Sequence, residues 1–146
     1  DAAIAGPYKR GEAVLTYYWE PTWLLGLYDM TMIEEPPYSA ECWVGTQTGL
    51  ADFSDDYVSA TGACGYEVFD VHKFVSTSLL NKSPKVTAFL SNMFLGTARV
   101  NELAAYMTIE EATAEETAVY YLKEYEDQWS DWVPANVKAK VIASLD

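Results

Sequence analysis

The chain has 146 residues and a mass of 16.3 kDa, enough for one domain with a buried core; half of its residues are apolar, which excludes disorder as the main state. Nine Lys and Arg stand against 22 Asp and Glu, a formal charge of −13, which excludes a phosphate-backbone partner such as nucleic acid. No apolar run approaches the roughly 20 residues of a bilayer-spanning helix.

The opening run Asp1-Ala2-Ala3-Ile4-Ala5 reads as the end of a helix begun upstream, so the sequence is expected to be a piece of a longer one. Two β-rich runs follow, Val14 to Trp19 and Met30 to Glu34, with Pro21 to Tyr28 between them as a short helix opened by Pro21 at its first turn. A strand, helix, strand unit of this kind predicts a parallel or mixed sheet covered by helices. From Glu35 to Gly65 periodicity stops, and a loop this long in a compact domain needs a function or a tie. Cys42 and Cys64 both lie there. As a disulfide they would stabilise by roughly 3 kcal/mol on the chain-entropy model and imply an oxidising compartment; the alternative is two unpaired thiols.

Val68 to Val75 alternates as a further strand, and the remainder is helical. Ser83-Pro84 opens a helix bearing Val86, Phe89, Leu90, Met93 and Phe94; Val100, Leu103, Ala104 and Met107 form a shorter stripe. Thr113-Ala114-Glu115-Glu116 is a capping box, with Ala118, Leu122, Tyr125, Trp129 and Trp132 on one face behind it. Pro134 opens a last helix with Val137, Val141 and Leu145 inward.

The sequence lacks the parts for an enzyme. His72 is the single histidine and sits in a strand-like run; there is no GxSxG, HExxH, Walker loop or GxGxxG. No cofactor is expected. Asp52, Asp55 and Asp56 carry carboxylates that suit calcium but lack the spacing of an EF-hand, which leaves a loop ion as the open alternative. The informative feature is aromatic. Tyr17-Tyr18-Trp19-Glu20-Pro21-Thr22-Trp23 places four aromatic residues where a strand ends and a helix begins, the position of ligands in open α/β sheets. A quaternary ammonium has no hydrogen-bond donor and is met by the π faces of Trp and Tyr. Ordinary core packing of these rings is the competing reading.

The stretches YYWEPTWLLGLYDMTMIEEP, VHKFV, SPKVTAFL, NELAAYM, EETAVYYLKEYEDQWSDWVP and ANVKAKV, in this order, resemble the carboxy-terminal half of the substrate-binding proteins of glycine betaine ABC transporters. Those proteins serve glycine betaine, choline and related osmolytes such as trimethylamine N-oxide. The resemblance implies an α/β fold of the type II periplasmic-binding-protein class, here the carboxy-terminal portion of a two-lobed fold with a helical tail. It implies that residues 1–35 belong to the second lobe, that 36–67 form a loop or hinge region with the disulfide, and that 68–146 return to the first lobe. Trp19 carries over as a wall of an aromatic cage, with Tyr18 and Trp23 as further ligand-binding residues. Thr22 stands where some relatives have a histidine that helps bind a carboxylate, and Trp129 and Trp132 read as packing residues.

The function so implied is capture of a methylated amine, without chemistry, and delivery to an ABC permease in the periplasm or outside the cell. The alternative is a structural half that binds nothing alone and needs an amino-terminal partner or domain exchange with a second copy.

Overall fold

The computed structural model describes residues 1–44 and 64–145. Asp52, Asp55 and Asp56, the candidate calcium ligands, lie outside the described residues. The chain divides into two compact units, one of Asp1–Met30 with Val75–Asp146 and one of Thr31–Phe74.

The first unit is helical. Helix α1 spans Ala2–Lys9 and α2 spans Trp23–Leu27. After residue 75 come α3 (Thr77–Lys82), α4 (Pro84–Asn92), α5 (Thr97–Ile109), α6 (Ala114–Glu124) and α7 (Glu126–Trp129), then a 3-10 turn at Ser130–Trp132 and α8 (Ala135–Ser144). None of the helices among the described residues is long and apolar enough to cross a membrane.

Local chemistry accounts for several boundaries. Pro84 stands at the start of α4, where its missing N–H costs no intrahelical bond. Thr113 and Glu116 form the reciprocal capping box: the Glu116 N–H donates to Thr113 Oγ1 at 3.2 Å, and Glu116 Oε2 accepts from the Thr113 N–H at 2.8 Å. Helix α2 starts later than Pro21 suggests. Thr22 is its N-cap, with Oγ1 accepting from the Leu24 N–H at 3.4 Å, so Pro21 precedes the cap.

Burial also falls one position away from two predicted stripes. On α5 the buried residues are Asn101 and Ala105, while Val100, Leu103 and Ala104 are half-buried. On α6 they are Thr117 and Tyr121, while Ala118 is exposed. The expected run from Ala118 to Trp132 is interrupted at Tyr125, whose φ of −123° and ψ of 43° close α6 and open α7. Val137, Val141 and Leu145 lie half-buried on α8, the inward set expected there.

Two clusters hold this unit. Ile4, Leu24 and Tyr28 are buried together, with Ala5, Val14, Trp23 and Met30 against them, so α1 and α2 share one apolar centre. The second joins α5, α6 and α7. Tyr121 stacks on Tyr125 and on Trp132, and buried Trp129 donates its indole N–H to the Leu122 carbonyl at 2.8 Å. The Arg99 guanidinium lies 3.4 Å over the Tyr125 ring and also pairs with Glu102, which accepts from the Tyr125 hydroxyl. That hydrogen bond holds the Tyr125 phenol well above its ordinary pKa. Trp129 and Trp132 are thus packing residues.

The predicted strands are the main correction. Among the described residues no strand is formed: the stretches 14–19, 30–34 and 68–75 are neither helical nor part of a ladder. A strand persists through cross-strand hydrogen bonds and a covered face. Here Leu15 is 86% exposed, Met32 84% and Phe74 90%, and the adjacent Val68 and Phe69 are both exposed, so neither face of that stretch is covered.

In the second unit, residues 40–44 are helical and the Cys42–Cys64 disulfide joins residues 22 apart. Trp43, next to Cys42, meets Tyr66 edge-on at 4.8 Å and Tyr38 at 6.0 Å. Desolvation, then the neighbouring Glu67 carboxylate, raises the Tyr38 pKa.

Candidate functional site

The aromatic motif runs from the unladdered stretch after α1 into α2. Alternation of side chains along a non-helical stretch separates its rings into two sets. Tyr17 and Trp19 form one, edge-on with centroids 5.7 Å apart, and Trp19 is 65% exposed. Tyr18 points elsewhere: its hydroxyl donates to Asp1 Oδ1, while Asp1 Oδ2 accepts from the Trp23 indole N–H at 3.3 Å. Tyr18 and Trp23 are therefore brought together on one carboxylate, and Trp19 stands in a separate ring pair with Tyr17.

Trp23 is half-buried. Its ring tilts against Tyr28 at 6.1 Å, and Tyr28 in turn meets Tyr8 at 4.4 Å. Of the three candidate residues, Trp19 offers the most ring surface to solvent, as a cage wall must before ligand arrives.

The turn carrying these rings is pinned by a residue far along the chain. Asn101 on α5 is 5% exposed, accepts from the Thr22 backbone N–H at 2.6 Å and donates through Nδ2 to Glu20 Oε1 at 2.8 Å. Between those anchors the Glu20–Pro21 peptide bond is cis. Helix α2 approaches α5 closely at Gly26: a Cβ there would lie 2.1 Å from the Asn101 carbonyl oxygen. Glu20, Leu25, Gly26, Asn101 and Glu102 line an open cavity of about 520 Å³ beside the turn.

Asn101 and Glu20 escaped sequence reasoning because their partners lie 79 and 81 residues apart. The available signal was an Asn at a buried position of an amphipathic helix, which needs partners for both ends of its amide. Among the described residues no group of three or more His, Cys, Asp or Glu is placed to hold a metal.

An exposed Trp in an aromatic turn, pinned by a buried amide, is an arrangement suited to holding a ligand. Residues 1–124 match the model of a family described as the substrate-binding domain of the ABC-type glycine betaine transport system. The chain belongs to this family, whose members are binding components of transporters and not enzymes. It is similar to the trimethylamine N-oxide-binding protein of Pelagibacter ubique (strain HTCC1062), with 24% identity over 129 residues. That alignment covers 88% of this chain and 37% of the relative, so the chain spans little more than a third of the relative's length. No solved structure matches.

Proposed function

We propose that the chain contributes to an extracytoplasmic solute-binding protein that captures a methylated amine, such as glycine betaine, choline or trimethylamine N-oxide, and passes it to an ABC permease in the membrane. The family match and the trimethylamine N-oxide-binding relative support this reading, and the carrying observation is Trp19, a solvent-facing indole in the aromatic turn. Trp19 supplies a π face to the cationic head, and Tyr18 and Trp23, held together on Asp1, are the further ligand-binding residues of this reading. The finer architecture that goes with it is the type II periplasmic-binding-protein fold, with residues 1–35, 36–67 and 68–146 as second lobe, hinge region and return to the first lobe. The disulfide suits an oxidising periplasmic or extracellular setting.

Calorimetry of the three amines with the protein and its Trp19→Ala variant tests it. A desolvated cation–π contact contributes up to about 2 kcal/mol, or about thirtyfold in Kd. Unchanged affinity removes Trp19 from the cage.

The exposed apolar stretch 68–75 favours a second reading, in which the chain binds nothing alone and works with an amino-terminal partner or by exchange with a second copy. A dimer by size exclusion, with no change in Trp fluorescence on adding amine, is the outcome that reading expects.

A further inference from the structure

We infer that Asn101 is the positioning residue of the amine site, holding Trp19 and Trp23 at fixed places through Glu20 and Thr22; the inference rests on the ligand role proposed for those two indoles. The amide of Asn101 faces two demands at once. The Thr22 N–H requires an acceptor, and the Glu20 carboxylate requires a donor. Those partners fix the amide's orientation, and a single side chain of this length satisfies both only as Asn. Aspartate would lose the donor, and leucine both groups.

The two anchors are placed where they matter for the rings. Glu20 directly follows Trp19, and Thr22 directly precedes Trp23, so each candidate wall is one residue from an atom held by Asn101. The clamp is also stiff at its base. Asn101 is 5% exposed, and its backbone lies against Gly26 of α2, so it is braced by the facing helix. Leaving such an amide unpaired in a buried setting is costly, which gives the contact its hold over the turn. The other charged groups beside it are Glu102, which lines the same cavity, and Arg99, which pairs with Glu102 and leaves Glu20 to Asn101.

An exchange of the two groups tests the clamp. Asn101→Asp sets two carboxylates against each other, whereas the double variant Asn101→Asp/Glu20→Gln restores a donor and an acceptor with their places exchanged. Two readouts are taken: the indole N–H resonances of Trp19 and Trp23, assigned by single Trp→Phe replacements, and the Kd for trimethylamine N-oxide. The expected result is displaced resonances and roughly tenfold or greater weakening for the single variant, with both returned toward wild type in the double. A folded Asn101→Asp protein with wild-type indole resonances overturns the inference. Where the single variant does not fold, the double decides: native indole resonances support the clamp, and altered resonances or an unfolded chain refute it. Trp19→Ala binding as tightly as wild type would overturn the ligand role of the motif, whereas the resonances alone judge the clamp.

Discussion

The contact of α2 with α5 makes opposite predictions for one chemical change at two glycines. Gly6 lies in α1, and apart from its chain neighbours a Cβ there meets nothing closer than the end of the Arg10 side chain at 3.4 Å. Replacing it by Ala adds helix propensity, worth up to about 1 kcal/mol, less the crowding of the new Cβ against Pro7, which follows it inside the helix. Gly26 lies in α2, where the same Cβ would sit 2.1 Å from the Asn101 carbonyl oxygen, 2.5 Å from its carbon and 2.9 Å from Ala105 Cβ. Two of those neighbours are backbone atoms of α5 and cannot rotate away. Overpacking of this kind costs about 1–3 kcal/mol, and a gap this short argues for the upper end. Subtracting the propensity gain leaves Gly26→Ala destabilised by about 2 kcal/mol. For a chain of this size that is a fall in Tm of roughly 4–8 °C. Thermal unfolding followed by circular dichroism at 222 nm measures both variants. Gly26→Ala matching or exceeding Gly6→Ala in Tm would refute the close approach.

Other consequences follow from single contacts. Thr113→Ala removes the acceptor of the α6 capping box and should cost about 1 kcal/mol in urea unfolding. Hydrogen bonds from the Thr113 N–H and hydroxyl hold the Glu116 carboxyl below its ordinary pKa, so its stabilising share is full above the unfolded value near 4.5 and disappears as pH falls through the lower folded value. Glu116→Gln should flatten that acid dependence of the urea midpoint, and an unchanged slope would count against the box. Reduction of Cys42–Cys64 opens a closure of 22 residues and should remove roughly 3 kcal/mol from the unit that contains it. The near-ultraviolet circular dichroism of the adjoining Trp43–Tyr66 pair should diminish while the helical signal at 222 nm persists.

What was legible in the sequence was local. The capping box, Pro84 at the head of α4 and Pro134 before α8 are each specified by a few adjacent residues, and the structure places them there. The disulfide was legible because two cysteines stood alone in a loop that needed a tie. The alternation in 14–19 and 68–75 predicts strands that the structure does not form, because period-2 apolar alternation records a face to be covered and carries no information on what covers it. Helix α3, with the sequence Thr77-Ser78-Leu79-Leu80-Asn81-Lys82, is too short and polar for a periodic signal.

The aromatic motif divides in the same way. Its composition fits an amine site or ordinary core packing, and the family match supports the proposal of the first. The placement of its rings depends on contacts that no window of residues contains. Asp1 gathers Tyr18 and Trp23, and Asn101 reaches back some eighty residues to the turn between Trp19 and Trp23. In the amine site proposed above the rings set the chemical class of ligand, whereas its fit is set by the partners that orient them. Of those partners Asn101 is the more constrained, since it is buried and both ends of its amide are committed. Changes in selectivity among methylated amines should accordingly arise from substitutions at Glu20, Thr22 and Asn101 with all the aromatic residues kept, and a set of such variants with identical Kd ratios for glycine betaine and trimethylamine N-oxide would contradict this.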